Sequence, residues 1–137
     1  MLSLLPAQTH PSLRERNFGV LELSSHDAYH HVWAGDAEDA GHRPEAGESI
    51  QEVAVRVMQL VRDLDRQHED TTIGTPRVCQ AGSVLGAEHP VSIPSLATVL
   101  VSHGDPCQIL QAAIKGTDLR THRRDYVIDT GELRRLI

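Results

Sequence analysis

The residues best able to do chemistry lie in Ser102-His103-Gly104-Asp105-Pro106, a turn between an apolar run and an amphipathic segment. Residues 96–101, Leu-Ala-Thr-Val-Leu-Val, are short, apolar and rich in β-branched types, and they predict a strand buried on both faces. Asp105 suits a helix N-cap, Pro106 the first helical position and Gly116 the stop. Ile109, Leu110, Ala113 and Ile114 recur at helical spacing between them. The unit therefore reads as strand, tight turn, helix. Ligands of open α/β sheets bind outside the carboxyl ends of the strands, and a helix N-terminus there offers free N–H groups that suit a phosphate. The alternative is a turn histidine with no role.

A second group of charged residues lies in Leu13-Arg14-Glu15-Arg16-Asn17-Phe18-Gly19. No helical or strand period runs through it, so it is expected on an ordered loop, either as part of a site or as a solvated charge cluster. Arg14, Arg16 and Arg43 are the candidates to bring positive charge. His26, His30 and His31 fall on one helical face with Asp27, and two histidines four apart can bind zinc, but no third ligand follows at a diagnostic spacing. Tyr29 and Trp33, also four apart, are expected to pack this segment onto the rest of the chain.

The elements that must position these groups are read from pattern. Ser49 and Glu52 form a capping box, and Ile50, Val53, Ala54, Val57, Leu60, Val61 and Leu64 continue as an apolar stripe, predicting a helix over 48–68 that covers one face of a sheet. Residues 69–95 are broken by Gly74, Pro76, Gly82, Gly86, Pro90 and Pro94 and read as an irregular loop or insertion, with a small hairpin at 78–80 and 83–85. Residues 126–128 read as a short strand or helical turn, and 132–137 as a last strand.

Composition narrows the function. The 137 residues carry a net charge of −6, which argues against a basic nucleic-acid face, although a local arginine cluster can still hold a small anion. Apolar residues make up 39% and aromatics 3%, so the core must rest on Leu, Val, Ile and Ala. Two cysteines, Cys79 and Cys107, are too few for a disulfide scaffold, and the chain reads as cytoplasmic. No apolar run approaches membrane-spanning length, and the short apolar start lacks the basic flank of a signal peptide.

Three stretches in order, Leu13-Arg14-Glu15-Arg16-Asn17-Phe18-Gly19, Pro44-Glu45-Ala46-Gly47-Glu48-Ser49 and Val101-Ser102-His103-Gly104, resemble the histidine phosphatase superfamily. The branch resembled includes cofactor-dependent phosphoglycerate mutases and fructose-2,6-bisphosphatase-like enzymes. The resemblance implies a phosphoglycerate mutase-like three-layer α/β/α sandwich. It also implies hydrolysis or transfer of a phosphomonoester of a small metabolite, of the sugar-phosphate class, through a phosphohistidine. Carried over residue by residue, His103 resembles the second histidine, which holds phosphoryl oxygens, and Glu15 the general acid and base. Arg14, Phe18, Arg43 and Gly104 would line the substrate. The mechanism implied needs no metal and no organic cofactor, and its partner is a small phosphorylated metabolite rather than nucleic acid or membrane.

The Arg-His-Gly motif that supplies the family's nucleophile does not occur in this sequence. The expectation is therefore one partial domain over 1–137, lacking the family's first strand and first helix. Its exposed sheet edge would pair with a second copy or another chain. Three alternatives accompany it. One is a catalytically dead pseudophosphatase that binds a phosphate ligand or a partner. Another is a variant with His103 as the nucleophile. The third is an unrelated domain, either binding zinc through His26 and His30 or purely structural with no ligand.

Overall fold

The computed structural model describes residues 7–73 and 97–136. After a 3-10 turn at Pro11–Leu13 and another at Gly19–Leu21 come three helices, α1 (His26–Glu38), α2 (Ile50–Ile73) and α3 (Gly104–Lys115). A 3-10 turn at Leu119–Thr121 then leads into a single helical turn, α4 (His122–Asp125).

The expected capping box starts α2. The Ser49 backbone N–H donates to the Glu52 carboxylate at 2.8 Å, and the Glu52 N–H donates to Ser49 Oγ at 3.2 Å. The apolar stripe is the one read from sequence, but it meets a helix instead of a sheet. Ile50, Val53, Ala54 and Val57 of α2 form one buried cluster with Ile109 and Leu110 of α3, flanked by Met58, Val61, Ala113 and Ile114. Burying side chains of this size stabilises by about 1.5–3 kcal/mol each relative to exposure, so this seam holds α2 and α3 together. At the end of α3, Gly116 takes φ 63°, and its N–H reaches the carbonyls of Ala112 and Ala113. That left-handed stop is the one predicted for a glycine there.

The expected α/β/α sandwich is overturned, because no strand occurs among the described residues. Residues 97–101 of the expected central strand carry no regular structure, and Val99 and Val101 are 70% and 80% exposed. Leu96 lies outside the described residues. Residues 126–128 and 132–136 likewise form no strand. The physical reason is that a strand is defined by its partners. An apolar run has the right side chains, but its N–H and C=O groups need a neighbouring backbone, and none of the described segments supplies one. Tyr126 instead closes α4, its N–H donating to the His122 carbonyl at 3.1 Å.

Two boundaries also move. Residues 69–73, expected in the irregular loop, belong to α2. The remaining loop residues, with the expected hairpin at 78–80 and 83–85, lie outside the described residues. Asp105 is not the N-cap of α3: the helix begins at Gly104, with His103 in the capping position. No helix among the described residues is long and apolar enough to cross a membrane.

Candidate phosphate site

The loop that carries Glu15 has no regular structure, and side chains from the rest of the chain hold it in place. Arg56 of α2 donates to the Ser12 carbonyl at 2.6 Å and to the Glu15 carbonyl at 3.3 Å. Glu48, just before α2, pairs with Arg14 and Arg56 and accepts the Asn17 N–H at 3.0 Å, while its own N–H donates to the Asn17 carbonyl at 2.8 Å. Burial works against the Glu48 carboxylate, but the Arg56 and Asn17 hydrogen bonds and the Arg56 and Arg14 charges outweigh it and hold its pKa below the usual range. Glycine is required where the two loops meet. Gly19 has φ 60°, and a Cβ there would lie 1.9 Å from the Glu45 carbonyl oxygen.

Arg16 is the anchor, only 1% exposed. Its guanidinium forks onto Asp36 of α1 at 2.5 and 3.0 Å, and its Nε donates to the Glu48 carbonyl at 2.9 Å. Asp105 of α3 lies 3.7 Å away and is itself paired with Arg123 of α4. The Arg123 guanidinium stacks over the Trp33 ring at 3.7 Å. The charge cluster read from sequence as a solvated face or a site is thus partly interior: Arg16 faces inward and its neighbours Arg14 and Glu15 face outward.

Ser102 Oγ donates to the Leu13 carbonyl at 2.7 Å and ties the turn before α3 to this loop. His103 and Glu15 then face each other, with His103 Nδ1 3.6 Å from Glu15 Oε2 and the two side chains 57% and 44% exposed. Residues distant in sequence thus present an imidazole and a carboxyl side by side at the surface. Burial raises the Glu15 pKa above 4.5; the Arg16 N–H hydrogen bond opposes this, the Asp105 charge adds to it, and the charges of His103 and Arg56 oppose it. A carboxyl group shifted in this direction keeps its proton further toward neutral pH, as a general acid must. Beside it, burial followed by the Glu15 charge raises the Cys107 thiol pKa, which disfavours a reactive thiolate.

At the start of α3 the His103 side chain makes no capping hydrogen bond among the described residues, and Gly104 has open space where a Cβ would stand. Free N–H groups and the helix dipole therefore adjoin the His103–Glu15 pair.

The other expected site residues are placed as follows. Arg14 is half exposed beside Glu15 and paired with Glu48. Arg43 pairs with Glu52 at the start of α2, and no hydrogen bond or ion pair joins it to His103 or Glu15. Phe18 is buried, its ring 4.5 Å from that of Tyr29 and 5.2 Å from the Arg16 guanidinium. Among the described residues no three His, Cys, Asp or Glu side chains gather as a metal site. The His30 ring is edge-on to Trp33, and the side chain of His26 lies outside the described residues.

Arg56, Asp36, Asp105 and Arg123 were not singled out as site residues from the sequence. Each acts through partners far away in the chain, which no local pattern reveals.

The family model for the histidine phosphatase superfamily (branch 1) matches residues 2–75, more than half of the chain. The chain belongs to the histidine phosphatase superfamily. The matched residues of this histidine phosphatase homologue include the Glu15 loop, the Glu48 turn and α2, the parts that Arg56 and Glu48 lace together. His103 lies beyond them. Searches of curated proteins and of solved structures return no match.

Proposed function

We propose that this chain contributes the acid and the phosphate-holding histidine of a phosphomonoesterase or phosphoryl transferase acting on a small metabolite of the sugar-phosphate class. The observation that carries the reading is the approach of His103 to Glu15 at 3.6 Å beside the open start of α3.

Phosphoryl transfer is mainly positioning and neutralisation of charge. His103 and the first N–H groups of α3 donate to phosphoryl oxygens, and Arg14 at the rim adds positive charge. The phosphorus–oxygen ester bond breaks as a phosphorus–nitrogen bond forms to the nucleophilic histidine. The Glu15 carboxyl gives its proton to the leaving alkoxide. Glu15 then takes a proton from the water, or acceptor hydroxyl, that displaces the histidine. The nucleophile belongs to the Arg-His-Gly motif of the superfamily, which this sequence does not contain. A second reading is that the same pocket binds a phosphate ligand without turnover.

One set of measurements separates the two readings. Inorganic phosphate binding, followed by calorimetry, is expected to saturate and to weaken at least about tenfold in His103→Ala, the loss of one charge-assisted hydrogen bond. Turnover of an aryl phosphate that falls in both His103→Ala and Glu15→Gln supports catalysis. Turnover that appears only when a segment carrying Arg-His-Gly is supplied supports the first reading, binding that stays without turnover even then supports the second, and the absence of both binding and turnover refutes the site.

A further inference from the structure

We propose that Asp105 is a positioning residue for the Glu15–His103 pair: its buried carboxylate, set between Arg16 and Arg123, fixes the loop carrying Glu15 against the helix end carrying His103. The proposal deepens the reading above and rests on it for its functional meaning.

An aspartate in the first turn of a helix ordinarily faces water and the free N–H groups there. Asp105 does neither; it is 5% exposed and turned onto two arginines from other parts of the chain. Neutralising Arg16 does not require it, since Asp36 already takes both ends of that guanidinium. Its own charge is met by Arg123, which α1 covers with Trp33. One carboxylate thereby joins the Glu15 loop, α3 and α4, and reaches α1 through both arginines.

The Ser102 bond to Leu13 and the Arg56 bond to Glu15 already join these segments, but both end on backbone carbonyls. No side-chain hydrogen bond caps the first turn of α3 at His103, and Glu15 is fixed by the Arg16 N–H at 2.8 Å. Arg16 directly follows Glu15, and Asp105 stands two residues after His103. The 3.7 Å approach of Arg16 to Asp105 is thus the shortest charged link behind the 3.6 Å approach of Glu15 to His103. Asp105 Oδ2 is buried with no hydrogen-bond donor. A buried ion pair with an unsatisfied oxygen is a poor source of stability, whereas it does restrict geometry.

The groups facing the Glu15 carboxyl are His103 at the cap of α3, Asp105 and Cys107 from α3, Arg56 from α2, and the Arg16 N–H from its own loop. The test follows the Glu15 titration midpoint by carbon NMR, with and without His103→Gln, in the natural chain and in Asp105→Asn. In the natural chain, losing the imidazolium is expected to raise the midpoint by about half a pH unit, as a charge at this distance near water does. In Asp105→Asn the same substitution is expected to move it less than about a third as far, because the effect decays as the pair separates.

The direct loss of the Asp105 charge lowers the midpoint in either case and cancels in the comparison. An undiminished His103 effect in Asp105→Asn overturns the proposal. Arg123→Gln, which loosens Asp105 on its α4 side and leaves α3 and the Arg16 contact in place, must weaken the coupling in the same direction. Unfolding of both variants also overturns it, since Asp105 would then hold the whole fold. Inorganic phosphate serves as the separate probe. If the natural chain shows no His103-dependent binding, the phosphate site falls while the coupling result still decides the role of Asp105.

Discussion

Replacing Arg16 by methionine is the sharpest perturbation of the scaffold behind the site. The substitution keeps an apolar chain of similar length and removes the guanidinium, leaving Asp36 1% exposed, with the His42 ring at 3.2 Å as its remaining partner among the described residues. The Glu48 carbonyl also loses its 2.9 Å hydrogen bond. Breaking a buried pair from one side costs about 3–5 kcal/mol, because the remaining charge stays desolvated. Against a total stability of about 5–15 kcal/mol, this is a large fraction. For a chain of this length it corresponds to a drop of roughly 10–20 °C in Tm.

Urea unfolding followed by far-ultraviolet circular dichroism measures the cost. The double variant Arg16→Met with Asp36→Leu removes both charges, and it should recover at least about 1 kcal/mol relative to Arg16→Met alone. A cost below about 1 kcal/mol for Arg16→Met, or simple additivity of the two substitutions, refutes the reasoning that this pair is buried and mutually dependent.

Three further outcomes are expected. Gly19→Ala should destabilise by about 1–3 kcal/mol from backbone strain alone, while Gly104→Ala, in open space, should leave the urea midpoint nearly unchanged. Glu15, whose pKa is raised by burial, favours the folded state fully below its ordinary 4.5 and loses that contribution as pH rises through its folded value. Glu15→Gln should therefore raise Tm at neutral pH, and the gain should vanish below pH 4.5. The His122 pKa is lowered, chiefly by burial, so the folded chain resists its protonation. Stability should fall as pH drops below 6.5, and His122→Gln should flatten that part of the stability profile.

Local information carried the helices. The capping box of Ser49 and Glu52, the stripe from Ile50 to Leu64 and the stop at Gly116 are all set within one or two turns of the chain, and they stand as read. The sheet failed for the complementary reason. Residues 96–101 have strand-like composition, but pairing is non-local, and Val99 and Val101 meet solvent. Asp105 failed as a cap because Arg16 and Arg123, remote in sequence, draw its carboxylate inward. Arg14, Arg16 and Arg43 were equivalent as charges in the sequence. In the fold one is half exposed and paired with Glu48, one is buried, and one pairs with Glu52. Glu15 and His103 were legible as a pair only through the family resemblance, since no spacing rule links residues so far apart.

The most direct test of the phosphate site is to titrate the chain with inorganic phosphate while recording nitrogen-edited NMR spectra of the His103 ring and the Gly104 amide. The account predicts saturable movement of both signals, with the Glu15 loop following and with the Gly104 response lost in His103→Ala. Phosphate-dependent movement confined to the surface arginines Arg120 and Arg124, or no movement at all, would contradict it.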